Sequence, residues 1–257
     1  MIHEKIMLND KAYMTTYIVD DPLGADRKRP IAVICPGGGY EFCSPREAEP
    51  VALAFNAAGI HAAVVNYRVF AAYPASLRDL SDAVCIVRDN AEKWRIDDGR
   101  VVVCGFSAGG HLAASLGVFW NSEPAIKRGD GKNKPNGMIL AYPVITSGEY
   151  AHEGSIRTVS GGDAELAKKM SLEDQVTEDC PRAFIWHTFE DPGVPVENSL
   201  LMASALRKKG IETELHIFPK GPHGLSTASE YVAESEQGVI PKVHGWVDMA
   251  VDWIFGL

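Results

Sequence analysis

Val101-Val102-Val103-Cys104-Gly105-Phe106-Ser107-Ala108-Gly109-Gly110-His111-Leu112-Ala113-Ala114-Ser115-Leu116 decides the fold. A β-branched apolar run leads into Gly-x-Ser-x-Gly, and a stretch of small residues follows. That is the order strand, sharp turn, helix. A serine on such a turn is pushed out beyond the end of the sheet, and the flanking glycines leave room for helix and strand to pack. The amide of Ala108 then lies at a helix N-terminus, free to meet negative charge. The competing reading is a strand–helix turn with a capping serine.

The rest of the chain repeats the same alternation. Ile31-Ala32-Val33-Ile34-Cys35 is a short buried strand that runs into Pro36-Gly37-Gly38-Gly39-Tyr40. Further strands are predicted over residues 61–67, 100–104, 137–143, 183–187 and 214–218, and helices over 47–58, 77–93, 198–209 and 243–255. Residues 129–137 read as a polar loop. This order predicts an α/β protein with a mostly parallel, doubly covered sheet in three αβα layers. The chain is expected to be one domain, 1–257. Residues 148–175 are long for one connection and are expected to carry one or two short helices as a cap-like insertion over the sheet top.

Composition sets outer bounds. The 257 residues are 46% apolar and 23% charged, ordinary for a globular chain that buries its own core. A net charge of −9 without a basic run argues against nucleic acid. No apolar run reaches membrane-spanning length, so no membrane partner is expected. Met1 to Met7 lacks the features of a secretory signal. The five cysteines show no metal-ligand spacing and fit a reducing, cytoplasmic setting. Nothing in the chain bears on whether it forms a homo-oligomer.

A nucleophilic serine needs a base, an acid that orients the base, and donors for the oxyanion. In this type of fold they follow the serine in the order acid, then histidine. Asp191 follows the strand Phe184-Ile185-Trp186, and His223 follows Leu215-His216-Ile217-Phe218, both in loops just past strand ends. Asp191, before Pro192, is also placed to start a turn, and Glu190 is a rival acid. His187 is placed to support the site, and His111 to bind neighbouring loops. The contiguous glycines of 37–39 can turn backbone amides toward a ligand oxygen. They do not form G-x-G-x-x-G, so a dinucleotide site is disfavoured. No metal or cofactor is called for.

Together, Pro36-Gly37-Gly38-Gly39-Tyr40, Val65-Asn66-Tyr67-Arg68, Tyr73-Pro74-Ala75 with Asp79-Leu80, the Gly105–His111 segment, the stretch 187–195 and Pro219-Lys220-Gly221-Pro222-His223-Gly224 resemble the α/β-hydrolase superfamily. Within it the chain is similar to the HGGG-type small esterases, most of all the bacterial acetyl esterases related to acetylxylan esterases. The resemblance runs over 31–225. It implies Ser107 as nucleophile, Asp191 as acid and His223 as base, with the amides of Gly37, Gly38 and Ala108 as oxyanion hole. It implies a small-molecule ester substrate, a short acyl group on a sugar or xylo-oligosaccharide, and no cofactor. Amide or peptide hydrolysis on the same fold, and a silent binding protein, are the alternatives. Pro36 stands where the family has histidine, which leaves the support of the glycine loop open. The short run before Ile31 implies a sheet lacking some of the usual first strands. Tyr40, Phe106, Tyr142 and His152 are expected to line the substrate side.

Overall fold

A computed structural model describes residues 1–24, 27–122, 125 and 130–257. Its strands are β1 (Lys5–Met7), β2 (Tyr13–Tyr17), β3 (Arg29–Cys35), β4 (His61–Asn66), β5 (Ile96–Phe106), β6 (Gly137–Ala141), β7 (Arg182–Thr188) and β8 (Thr213–Phe218). They form one eight-stranded sheet in the order β1-β2-β4-β3-β5-β6-β7-β8. From β3 onward the pairs are parallel, while β1 and β2 add antiparallel at the β4 edge. The expectation of missing first strands is therefore corrected. β1 and β2 are short and only half buried, so their sequence carries no apolar run to betray them.

The helices are α1 (Glu49–Ala57), α2 (Ala75–Asp89), α3 (Ala91–Trp94), α4 (Ala108–Phe119), α5 (Glu153–Ser160), α6 (Ala164–Lys169), α7 (Glu197–Lys208), α8 (Pro241–His244) and α9 (Trp246–Phe255). Strand side chains alternate between two cores, as the pleat requires. Val33, Val101 and Val103 pack with Leu80 of α2, Leu112 of α4 and Met202 of α7. Ile34, Val102 and Phe106 pack on the other face with Phe55 of α1 and Trp246 of α9. Three predicted helices differ at their ends. The 47–58 helix begins at Glu49 after a 3₁₀ turn, Pro45–Glu47, with Pro50 in the first helical turn. The 77–93 helix breaks at Asn90, and the 243–255 helix at Gly245. The polar loop read at 129–137 begins outside the described residues. Residues 148–175 hold α5, α6 and the 3₁₀ turn Leu172–Gln175. Among the described residues no helix is long and apolar enough to cross a membrane.

The order of strands explains where chemistry gathers. The chain leaves β3 toward β4 on one side and returns to β5 on the other. The crevice beyond the ends of β3 and β5 is thus the reversal point where parallel sheets place ligands. The glycine loop follows β3 and Ser107 follows β5, so both open into it.

Candidate active site

Ser107 takes φ +53° and ψ −119°, a conformation costly for any residue with a Cβ. Three bonds hold it there. Its N–H donates to the Ala141 carbonyl at 3.0 Å, and its own carbonyl accepts from His111 and Val144 N–H, each at 3.1 Å. The glycines serve close approach. A Cβ at Gly105 would lie 2.1 Å from the Gly109 carbonyl oxygen, and one at Gly109 would lie 2.1 Å from that of Cys35. Only bare backbone lets α4 start this near β5 and the end of β3.

The structure brings Ser107, His223 and Asp191 together in one hydrogen-bonded line. Ser107 Oγ lies 2.7 Å from His223 Nε2, and His223 Nδ1 lies 2.7 Å from Asp191 Oδ2. An ionised carboxylate only accepts, so Nδ1 carries the proton and Nε2 is left to accept from the serine. Asp191 Oδ1 accepts from the Gly193 and Val194 amides at 2.8 and 2.9 Å. Burial pushes its carboxyl pKa up, but hydrogen bonds from His187 and His223, the charge of His223 and the Val194 amide outweigh this and hold it well below the usual range. His187 is fully buried, with Nε2 at 2.9 Å from the Val194 carbonyl and 3.3 Å from Asp191 Oδ2. Ser199 Oγ meets its Nδ1 at 2.8 Å. His187 therefore braces the acid loop. Glu190, the rival acid, is exposed, while Asp191 is buried and bonded to His223.

The glycine loop departs from the expectation. The Gly37 N–H donates to Glu47 Oε2 at 2.8 Å, so it is not free for an oxyanion, and that part of the expected donor set is corrected. The N–H groups of Gly38 and Gly39 have no hydrogen bond among the described residues, and both glycines line the cleft with Ser107 and His223. Ala108, the first residue of α4, has no intrahelical acceptor for its N–H. Gly38 has φ +125°, and a Cβ there would meet the Phe42 carbonyl oxygen at 2.2 Å. The question raised by Pro36 is answered by its neighbours. Its carbonyl accepts from Tyr67 O–H at 2.7 Å, and Glu47 holds the next amide.

Ser107 opens into a cleft of about 330 Å³ lined also by Gly38, Gly39, Phe42, Arg46, His152 and His223. Of the four residues expected on the substrate side, only His152 is there. Tyr40, Phe106 and Tyr142 are 1%, 0% and 1% exposed. Tyr40 turns inward, where its O–H meets His111 Nδ1 at 2.8 Å, while His111 Nε2 donates to the Met170 carbonyl at 3.0 Å. Phe106, last in β5, falls by strand alternation on the α1–α9 face and packs on Trp246. Tyr142 lies under the site with its O–H 2.6 Å from Glu47 Oε1. His152 caps α5 by accepting the Ser155 N–H at Nδ1, 3.2 Å away, which leaves Nε2 as the donor of the neutral ring. Burial, then the nearby His223, lowers its pKa and favours that neutral form.

Phe42, Arg46 and Glu47 were not singled out from the sequence. Glu47 is only the first residue of the helix predicted over 47–58, and its burial, at 2% exposure, is what marks it. Among the described residues no cluster of His, Cys, Asp and Glu could hold a metal ion.

Comparison with known proteins places this geometry. The BD-FAE family model matches residues 19–141. Over 215 residues, 80% of this chain, the sequence is 42% identical to endo-1,4-beta-xylanase B of Butyrivibrio fibrisolvens, and over 224 residues, 84% of the chain, 34% identical to the acetylxylan esterase of Xylanibacter ruminicola. The aligned regions cover only 34% and 44% of those two proteins, so the chain spans less than half the length of either. The solved acetyl ester-xyloside bifunctional hydrolase of Caldicellulosiruptor lactoaceticus superposes with a TM-score of 0.84 at 36% identity, covering 98% of this chain and 96% of that one. With this likeness along nearly its whole length, and with the nucleophile turn, sheet order and glycine loop described above, the chain belongs to the α/β-hydrolase superfamily.

Proposed function

We propose that this chain is a serine carboxylic ester hydrolase that removes short acyl groups, acetyl foremost, from sugars or xylo-oligosaccharides. One observation carries the reading: the Ser107–His223–Asp191 line, with 2.7 Å at each link, opens into a cleft beside unpaired amides. Ser107 attacks the ester carbonyl while His223 takes its proton, and Asp191 steadies the imidazolium. The oxyanion rests on Gly38, Gly39 and Ala108, donors already fixed before reaction. His223 then protonates the leaving alcohol and activates water to release the acid.

The surroundings of the cleft favour a small acyl group and a polar alcohol. Residues 148–175 act as the cap, contributing His152 and Gly154 to the cleft. Phe42, 57% exposed at the rim, offers a face for a sugar ring, and His152 offers a donor. The printed names of the relatives, acetylxylan esterase and acetyl ester-xyloside hydrolase, support the same substrate class. The reading includes a cytoplasmic setting, consistent with an odd number of cysteines, five, without metal-ligand spacing, in which the substrates are oligosaccharides rather than polymer.

The test is kcat/KM for acetyl, butyryl and octanoyl esters, beside acetylated xylo-oligosaccharides and matched amides. Highest values for acetyl, with acetate released from the oligosaccharides, are expected. A steady rise toward octanoyl would point instead to a deep apolar acyl site, at roughly 0.8 kcal/mol per buried methylene. Faster turnover of amides than of esters would replace the reading with an amidase.

A further inference from the structure

Glu47 joins two loops that catalysis must keep in register. It closes the turn Pro45–Glu47, is 2% exposed, and borders the cleft that holds Ser107. Each of its oxygens takes one hydrogen bond: Oε2 from the Gly37 N–H at 2.8 Å, and Oε1 from the Tyr142 O–H at 2.6 Å. The Tyr142 oxygen accepts in turn from the Ser226 N–H at 2.8 Å, on the loop that carries His223. Ser226 Oγ donates back to the Arg46 carbonyl at 2.6 Å, closing the circuit on the turn of Glu47 itself. The Tyr142 ring stands edge-on to the His223 ring at 5.1 Å. A Cβ built on Gly37 would lie 2.7 Å from Glu47 Oε2 and 3.0 Å from Ser107 Cβ, so the carboxylate and the nucleophile share one face of the loop.

Both partners of Glu47 donate. A protonated carboxyl would leave either its own proton or that of Tyr142 without an acceptor. Burial raises the Glu47 pKa above the usual carboxylate value, and the bonds from Tyr142 and Gly37 and the charges of His223 and Arg46 oppose that rise without cancelling it. We propose that Glu47 is a positioning residue: its carboxylate locks the oxyanion loop to the histidine loop and sets a buried negative charge beside the imidazolium that His223 becomes. This rests on the acyl-serine reading. Fixing the Gly37 amide to Glu47 orients the next peptide, so that the Gly38 N–H is left for the cleft. The negative charge stabilises the imidazolium that forms on His223 as it takes the serine proton.

The charged and titratable groups facing Glu47 are Arg46 on its own turn, Tyr142 after β6, His223 with Asp191 behind it, Cys104 on β5 and Tyr67 after β4. Burial holds Cys104, Tyr67 and Tyr142 protonated and Asp191 stays ionised, so the charge that changes beside Glu47 during the reaction is the imidazolium forming on His223.

The experiment follows the pH dependence of Ser107 labelling by a fluorophosphonate, together with kcat and KM on p-nitrophenyl acetate, for wild type, Glu47→Gln, Glu47→Asp and Tyr142→Phe. Glu47→Gln keeps the shape but loses the charge and one acceptor. Its labelling rate and kcat are expected to fall about 10- to 100-fold with KM little changed, less than the ~100- to 1,000-fold of an oxyanion donor removed outright, because the Gly38 amide is displaced rather than lost. Its acid limb should move down by roughly 0.5 to 1 pH unit, because an imidazole without the nearby anion binds its proton less well. Glu47→Asp and Tyr142→Phe keep the charge, so both should lose rate with the limb in place. Labelling of Glu47→Gln at the wild-type rate overturns the proposal, and a slower rate with an unmoved limb overturns the charge role. Where Glu47→Gln does not fold, wild-type labelling of Tyr142→Phe overturns it. Wild type that labels but hydrolyses no ester would refute the esterase reading and leave the labelling test standing.

Discussion

Gly109→Ala separates the two halves of the proposed oxyanion hole, Ala108 on one side and Gly38 and Gly39 on the other. A Cβ at this position would lie 2.1 Å from the Cys35 carbonyl oxygen and 2.4 Å from that of Pro36, where ordinary contact begins at 3.4 Å. The larger overlap, about 1.3 Å, is with backbone, which has no rotamer to escape into. The start of α4 must move away from the end of β3 by on the order of 1 Å, since packed interiors have little slack. Ala108 moves with the helix, while Gly38 and Gly39 follow Pro36. Overpacking of this kind costs about 1–3 kcal/mol, offset by up to about 1 kcal/mol for replacing a helical glycine. The rate effect is larger, because a misplacement of about 1 Å in the reacting geometry can cost about 100-fold. Steady-state kinetics on p-nitrophenyl acetate, with urea unfolding on the same samples, measures both. The expected outcome is a kcat about 100-fold lower, KM nearly unchanged, and a net loss of roughly 1–2 kcal/mol of stability. A folded variant of wild-type stability with kcat within about threefold of wild type would refute the steric argument.

Ser107→Ala should lose turnover by several orders of magnitude and all fluorophosphonate labelling. Ser107→Gly should be as inactive yet melt higher than Ser107→Ala, since only glycine relieves the φ +53°, ψ −119° backbone; an equal or lower midpoint would argue against strain at the turn. Stability should fall between pH 6.5 and 4.5. Burial lowers the pKa of His61 and of His111 to about 4 in the folded chain, with Arg29 adding to the effect at His61. The unfolded chain, titrating near ~6.5, binds the protons that the folded chain refuses, so stability is lost as pH drops through this window and the loss levels off near 4, at up to about 3 kcal/mol per histidine. Asp191, with its depressed pKa, contributes losses only at lower pH. Urea midpoints that do not move between pH 6.5 and 4.5 would contradict the buried-neutral state of both rings.

The sequence by itself determined the strand–turn–helix around Ser107, the parallel run of strands from β3 to β8, and the placing of Asp191 and His223 in loops past β7 and β8. Those features are local. A β-branched run, a glycine where backbones touch and a polar residue just past a strand each express a requirement met within a few positions of the chain. Tertiary structure decided which loop faces meet. Glu47 takes the Gly37 amide ten residues upstream and the Tyr142 hydroxyl 95 residues downstream, so neither the loss of Gly37 as an oxyanion donor nor the burial of that carboxylate has a sequence signal. Tyr40, Phe106 and Tyr142, expected on the substrate side, neighbour the motifs in sequence but do not line the cleft. Strand alternation and left-handed turns at Tyr40 and Tyr142, with φ of +64° and +36°, send their rings into the core instead. β1 and β2 went unread because their partners, not their own composition, make them strands: Met14 pairs with Val65 across a register that only the folded sheet defines.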